Sequence, residues 1–406
     1  MDQGLFSINN FLLNIFLART ILSSEYGQFS VVFSIFLFIA GVQNALVIEP
    51  MSVIGPVKYR LLLGQYFKKL MWVNLGLTGI WSFLVVVVII LFDLQELSGL
   101  LVSMAIGVPL LLSFWFIRRF CYVIRKPVKA LIGTIVYSTV FLSCLAIMIK
   151  TDLLTGQNAF YLMGAAGILA FIPTAWLIGR EIELNKTDSD VKFHELILSH
   201  WTYSKWASGT AVVSWLNSIV IIPSTAVFLG YSAAGVYRAL QNFFLPIQQF
   251  LYAMSNLLLP SFSLDFAHRE ADSLREKTKN QMVINLSIAV VYILLVYIFR
   301  IPIIRIIFPG SGFEEYSWLF VFFGLAMLIE AIINVLSIFV KSAQRPEAIF
   351  YAQTGGAIAM VTLGFWLIKR YNLAGAGVSF LFTIVINLVI ILIFSRAVFN
   401  QIKNWE

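Results

Sequence analysis

Long apolar runs divide almost the whole of this chain into segments of about 20 residues. A hydrocarbon core about 30 Å thick is crossed by roughly 20 residues of α-helix, and lipid offers no partner for an unpaired backbone group. We therefore expect an all-α polytopic membrane protein with about 12 transmembrane helices and short loops. The runs lie at about 4–22, 28–48, 70–92, 97–117, 130–149, 159–179, 206–228, 238–259, 281–299, 318–340, 347–368 and 374–395.

The composition agrees with a membrane protein and disfavours metal or redox chemistry. Of the 406 residues, 60% are hydrophobic and 12% are charged, and the mean hydropathy is +0.89. Two cysteines and three histidines form neither a disulfide framework nor a zinc cluster, so we expect no cofactor. The net charge of +8 lies largely in loops, where it contacts acidic lipid headgroups of the bilayer rather than nucleic acid.

The distribution of cations predicts the orientation of the chain. With both termini in the cytoplasm, the cytoplasmic segments hold 21 of the 28 Lys and Arg residues. They comprise four in 49–69, five in 118–129, four in 180–205, four in 260–280, two in 341–345 and two in 396–403. The positive-inside rule favours this arrangement.

The longest polar stretch, 180–205, divides the chain into two halves of six helices, 1–179 and 206–406. Asp190 would cap a short amphipathic helix through "VKFHELIL" on the membrane surface. The halves resemble each other weakly, since Gln3, Ser7 and Asn10 match Thr210, Ser214 and Asn217 at an offset of 207. We therefore expect two pseudo-symmetric six-helix lobes around a central cavity.

Polar residues follow one face on each of four helices, and lipid offers them no partners. The faces comprise Asn10 and Asn14 on the first helix, Ser214 and Asn217 on the seventh, Arg238, Gln241, Gln248 and Tyr252 on the eighth, with Pro246 as a kink, and Glu330, Asn334, Ser337 and Lys341 on the tenth. For a single residue, interhelical hydrogen bonding explains the pattern better than substrate contact does. The four faces together favour a hydrated cavity. Arg19 and Arg238 would either line it or extend to the headgroups.

Glu330 stands in the middle of "LAMLIEAIINVLSIFVK", where a charge costs roughly 2.5 to 3.5 kcal/mol. It could be a neutral acid hydrogen-bonded to a neighbouring helix. It could instead bind a proton or Na⁺ in one conformational state, with Asn334 beside it, and so couple transport to an ion gradient.

Two stretches near the N-terminus, "NFLLNIFLARTILSSEYGQFSVVFS" (10–34) and "NALVIEPMSVIGP" (44–56), carry a family resemblance. They resemble the polysaccharide transporter and lipid-linked oligosaccharide flippase branch of the multidrug/oligosaccharidyl-lipid/polysaccharide exporter superfamily. The resemblance implies alternating access of two lobes and a polyprenyl-pyrophosphate-linked glycan as cargo. It also implies a bacterial inner membrane, with glycosyltransferases and a polysaccharide polymerase as possible partners. Arg238 and Arg19 are the cations that could meet the pyrophosphate.

Two other functions remain open on the sequence. An antiporter of small organic cations with the same fold would use an intramembrane acid such as Glu330. A membrane-embedded polymerase or acyltransferase would need clustered catalytic groups, yet the predicted outer loops are short and contain no His. We therefore expect a transporter rather than an enzyme.

Overall fold

A computed structural model describes residues 2–183, 191–343, 345 and 347–403, and these residues form helices joined by short turns. Sixteen α-helices lie within these ranges: α1 (Asp2–Thr20), α2 (Ser23–Gln43), α3 (Glu49–Lys58), α4 (Leu63–Leu91), α5 (Gln95–Val123), α6 (Pro127–Lys150), α7 (Gly156–Glu183), α8 (Phe193–Ser218), α9 (Ile221–Leu229), α10 (Tyr231–Gln241), α11 (Leu245–Ala267), α12 (Ala271–Ile298), α13 (Arg300–Ile307), α14 (Leu319–Ser342), α15 (Glu347–Ala359) and α16 (Phe365–Lys403). The described ranges contain no strand. The predicted all-α class is confirmed.

The chain forms two compact units, Met1–Val212 and Val213–Glu406, which we call unit 1 and unit 2. Each contains helical runs at the six places where the sequence predicts spans. Several spans consist of two helices. A π-helix (Asn44–Ile48) joins α2 to α3, a 3-10 turn (Asn242–Phe244) joins α10 to α11, and a second π-helix (Met360–Gly364) joins α15 to α16. Asn372, with φ 54° and ψ −138°, interrupts α16 and separates the eleventh predicted span from the twelfth.

Within the described residues, eight helical segments are long and apolar enough to cross a membrane, or nine if the bent pair α8–α9 is one span. One of the eight, Glu347–Lys403, is 57 residues long and contains two predicted spans. Neither α1 nor α11 is among them. Their asparagine, glutamine and serine residues lower the mean hydropathy, and three of these, Asn10, Asn14 and Gln248, belong to the polar faces noted above.

Glycines bring α5 and α7 of unit 1 into backbone contact. A methyl group on Gly107 would overlap the carbonyl of Phe160, with the carbonyl carbon 2.9 Å away. A methyl group on Gly164 would lie 2.7 Å from Cα of Gly107. Small residues at such crossings let two helices pack closely without the hydrophobic effect that operates in water. This pair forms the tightest part of unit 1 that the structure describes.

The segment before the seventh span differs from the prediction. We expected a short surface helix followed by a span from residue 206, but α8 runs without interruption from Phe193 to Ser218. Its first turns belong to unit 1 and contact two other helices of that unit: His200 Nε2 lies 2.8 Å from the Tyr66 hydroxyl of α4, and Tyr203 donates to Glu49 of α3 at 2.9 Å. The polar side chains therefore find protein partners rather than headgroups. The predicted cap Asp190 lies outside the described residues.

Two smaller differences concern helix boundaries. We assigned Arg118 to a cytoplasmic loop, but it lies within α5. Its side chain is 4% exposed, and its guanidinium lies 4.9 Å from the centre of the Phe6 ring. The expected kink at Pro246 begins at Asn242, four residues earlier. Proline removes the helical hydrogen bond to that carbonyl, and its ring crowds the same position.

Replacing Gly107 tests the contact between α5 and α7. We expect Gly107→Ala to lower the stability of the purified protein by about 1 to 3 kcal/mol. The added methyl group would overlap backbone atoms of Phe160, which cannot change rotamer as a side chain can. Gly76 of α4 has nothing within 4 Å of the place that a methyl group would take. Gly76→Ala should therefore be neutral or stabilising by up to about 1 kcal/mol, through helix propensity. Thermal melting in detergent measures both variants. Equal melting of Gly107→Ala and wild type would contradict the packing described.

Candidate functional site

The polar residues of α1 lie on two sides of that helix within unit 1. Asn14 is 2% exposed, accepts a hydrogen bond from the Tyr26 hydroxyl at 3.2 Å, and donates to the Asn10 carbonyl at 2.8 Å. Asn10 is half-buried, and its Oδ1 has no hydrogen-bond partner in the described part of the chain. Arg19 is exposed in the last turn. Asn14 thus joins α1 to α2, whereas Asn10 keeps an oxygen available.

Two polar contacts that the sequence did not reveal hold unit 1 together. Asn9 is 1% exposed and donates to the Ser138 hydroxyl of α6 at 2.8 Å. Gln43 and Asn74, both fully buried, hydrogen-bond between α2 and α4. From the sequence, we assigned Asn9, Gln43 and Asn74 to no periodic polar face. An amide within a predicted span was the available signal, since lipid would leave it unsatisfied.

In unit 2, the residues of the polar face predicted on the eighth span lie on two different helices. Arg238 is half-buried on α10, and its Nη1 donates to Gln241 Oε1 at 3.1 Å. Gln248 (half-buried) and Tyr252 (47% exposed) follow on α11, beyond the 3-10 turn. The structure therefore brings Arg238 and Gln241 together and places the other two residues on a separate helix.

Glu330 is half-buried on α14 and makes no hydrogen bond or ion pair with any described residue. Tyr252 lies on α11, which packs against α14. Four residues on, Asn334 is 7% exposed, and its Oδ1 accepts a hydrogen bond from Asn285 of α12 at 3.3 Å. The two residues that we paired for ion coupling thus have different surroundings. Glu330 has no hydrogen-bond partner among the described residues, whereas the oxygen of Asn334 already has one.

Ser214 and Asn217 lie half-buried near the end of α8. Ser214 accepts a hydrogen bond at its carbonyl from the Ser218 hydroxyl at 2.8 Å. Asn217 approaches Gly356 of α15, and its Oδ1 is buried with no partner in the ranges that the structure covers. No group of three His, Cys, Asp or Glu side chains suited to a metal ion occurs among the residues described.

Comparison with known proteins supports the fold and leaves the family open. No model of a protein family matches the sequence, and no curated protein matches it either. Solved structures do match. An inward-facing multidrug resistance MATE family transporter of the MOP superfamily is 10% identical, with a TM-score of 0.82 over 98% of this chain and 95% of that one.

Two further structures extend the likeness to transporters with other functions. The lipid II flippase MurJ, in an inward closed conformation, is 14% identical, with a TM-score of 0.70 over 98% of this chain and 89% of the flippase. A MOP superfamily transporter from Pyrococcus furiosus is 10% identical, with a TM-score of 0.67 over 99% and 94% of the two chains. This chain has the fold of MOP superfamily transporters. It is the fold of a multi-pass membrane protein, and the three matched structures named above are transporters.

Replacing Glu330 tests whether this acid has a structural or a coupling role. We expect Glu330→Gln to fold and melt as wild type does, because no hydrogen bond or ion pair to a described residue is lost. Reconstituted Glu330→Gln should transport without responding to a pH or Na⁺ gradient, because the amide cannot change charge between states. Asn285→Leu is the control for a structural role, since it breaks the bond to Asn334 and should lower the melting temperature. Wild-type gradient dependence in Glu330→Gln would assign coupling elsewhere.

Proposed function

We propose that this protein flips polyprenyl-pyrophosphate-linked oligosaccharides across a bacterial inner membrane, by alternating access of its two units. Such repeat units are the precursors of O-antigen, capsule or exopolysaccharide. Glycosyltransferases would supply the cargo and a polymerase would consume it. Both termini would lie in the cytoplasm, as the distribution of Lys and Arg predicts.

The observation that carries this proposal is the half-buried guanidinium of Arg238. A cation within a membrane span is costly and is retained where a function requires it. Gln241 binds Nη1 and so restricts the rotation of the guanidinium. A planar guanidinium forms paired hydrogen bonds to phosphate oxygens, and a pyrophosphate is the charged part of the proposed cargo. The same fold serves a lipid II flippase, which is consistent with a lipid-linked cargo here.

Amide groups in both units suit the sugar part of the same cargo. Asn10 has a buried oxygen without a hydrogen-bond partner in the described chain, and Gln248 is half-buried on α11. Sugar hydroxyls both donate and accept, so they can satisfy amide oxygens and amide nitrogens alike. In this proposal Arg19, exposed at the end of α1, meets the pyrophosphate near the outer membrane face.

A second candidate function is the antiport of small organic cations, and Glu330 favours it. A half-buried acid without a hydrogen bond to the described residues offers a cation a negative charge, and Tyr252 on the adjoining α11 adds an aromatic ring. The multidrug transporters among the matched structures share the fold. We rank this function second because it gives Arg238 no role, and a cation near the substrate would repel a cationic drug.

Substitution of Arg238 tests the flippase proposal in cells. We expect Arg238→Ala to lose most surface polysaccharide at wild-type protein levels, and Arg238→Lys to retain part of it, because an ammonium binds pyrophosphate without the paired geometry. Arg305→Ala is the matched control, since Arg305 lies on α13, belongs to none of the predicted polar faces, and pairs with Glu314 at 3.7 Å. Polysaccharide is measured on gels and protein by immunoblot, in a strain whose own copy is deleted. Full polysaccharide in Arg238→Ala would contradict the proposed role.

A further inference from the structure

The turns that join α3 to α4 (59–62) and α5 to α6 (124–126) lie side by side at one end of unit 1. A methyl group on Gly55 would lie 3.1 Å from Cε1 of Tyr66 and 3.3 Å from Cγ1 of Val123. Gly55 precedes the first turn, Tyr66 follows it, and Val123 precedes the second. This contact brings cations of both turns onto one surface, which we call the basic surface. Its exposed cations are Lys58, Arg60, Lys68, Arg119, Arg125 and Lys126.

The basic surface has few acids near it. The sequence contains no Asp or Glu from 50 to 92 or from 97 to 151. The side chains of Arg60, Lys68 and Arg125 form no ion pair with any residue that the structure describes. A group of cations without nearby acids creates a positive potential that attracts anions.

The turn between α11 and α12 in unit 2 has a different balance of charge. In 260–280, four Lys and Arg residues are matched by four Asp and Glu residues. Lys277 pairs with Asp265 at 2.6 Å, and Arg275 lies 4.0 Å from Asp272. From the sequence, we expected the loop cations of both halves to contact lipid headgroups. In unit 2, acids of the protein already pair with two of these four cations.

Arg125 and Arg269 occupy the same kind of turn in the two units. Their φ angles are 58° and 59°, a left-handed conformation in which glycine is the usual residue. In each turn, the amide of the following residue donates to the carbonyl five residues before it, at 2.8 and 2.9 Å. That following residue is Lys126 in unit 1 and Glu270 in unit 2. The two arginines therefore share a backbone conformation and differ in the charges around them.

The polar linker after α7 adds acids to unit 1 without cancelling this charge. Val191 of the linker lies against α4, where its carbonyl accepts a hydrogen bond from Lys69 and its amide donates to Gln65 at 3.0 Å. The predicted cytoplasmic segments of unit 1 hold 13 Lys and Arg against six Asp and Glu, in 49–69, 118–129 and 180–205. Those of unit 2 hold eight against six, in 260–280, 341–347 and 396–406. The positive charge is concentrated in unit 1.

We propose that the basic surface binds anionic phospholipids of the adjoining membrane leaflet, with lipid phosphates contacting Arg60, Lys68 and Arg125. Clusters of about four to eight cations beside a membrane span recognise such lipids. Leu61 and Val128, next to these cations, are 78% and 66% exposed, which suits contact with the acyl chains below the headgroups. The partner is the bilayer, so the inference does not depend on the transported cargo. Its restriction to unit 1 goes beyond the general preference of cations for the cytoplasmic side.

Binding of phosphatidylglycerol with a fluorescent acyl chain to the purified full-length protein, in a neutral detergent, tests this surface. We expect wild type to bind phosphatidylglycerol at least about tenfold more tightly than phosphatidylcholine with the same label. The preference should fall as NaCl rises to about 1 M, where the Debye length is about 3 Å. The triple variant Arg60→Gln, Lys68→Gln, Arg125→Gln should lose most of the preference, because each cation near the surface adds to the attraction.

The matched control replaces Arg269, Arg275 and Lys279 of unit 2 with Gln, which removes the same number of positive charges. It should keep the wild-type preference. Equal binding of the two lipids by folded wild type would overturn the inference, and so would an unchanged preference in the unit 1 variant or an equal loss in the control. If a triple variant fails to elute as a monodisperse peak, the single variants Arg125→Gln and Arg269→Gln decide the matter by the same criterion. The assay contains no glycan, so a negative result would leave the flippase proposal standing.

Discussion

Each polar side chain in a membrane helix must find a partner inside the protein, and this constraint organises both units. In unit 1, Asn9 binds Ser138 and Asn14 binds Tyr26, which attaches α1 to α6 and to α2. In unit 2, Asn285 receives a hydrogen bond from Gln281 at 2.7 Å and donates to Asn334, which attaches α12 to α14. Helix association in lipid has no hydrophobic driving force, so such bonds and close glycine crossings hold the bundles together.

The same constraint makes the polar groups that lack partners in the described chain unfavourable for stability. Glu330 makes no hydrogen bond there, and the oxygens of Asn217, Thr383 and Asn387 make none either. Glu330 and Asn217 are half-buried, whereas Thr383 and Asn387 are buried. Stability alone would favour apolar residues at such places. In the proposed transport cycle, ligands, ions or water would satisfy these groups in some states.

Much of the fold could be predicted from the sequence, because hydropathy records the solvent that each segment meets. The twelve predicted runs all lie within helical segments, but several segments extend seven to ten residues beyond the predicted bounds, and α8 begins earlier still: α4 begins at Leu63 rather than 70, and α12 at Ala271 rather than 281. Helix α8 extends to Phe193 because His200 and Tyr203 find partners on α4 and α3, which no local pattern reveals. The two π-helices and the break at Asn372 were also missed, since they depend on packing between helices.

The candidate site was less predictable than the fold. Periodicity placed Glu330 and Asn334 on one face of a helix, and both lie on α14 in the structure. The Asn334 oxygen, however, accepts a hydrogen bond from Asn285. Thr383 and Asn387, whose buried oxygens lack partners in the described chain, were overlooked because their helix reads as apolar. A helical pattern records which residues share a face. It does not record what lies opposite that face.

Reconstitution of the purified protein shows most directly whether its cargo is a lipid-linked glycan. Proteoliposomes would contain a fluorescent polyprenyl-pyrophosphate oligosaccharide, and a membrane-impermeant quencher would report its transfer between leaflets. We expect transfer well above that in protein-free liposomes, and much slower transfer with Arg238→Ala. Transfer no faster than in protein-free liposomes, together with accumulation of a small organic cation by the same proteoliposomes, would contradict the flippase proposal and favour an antiporter.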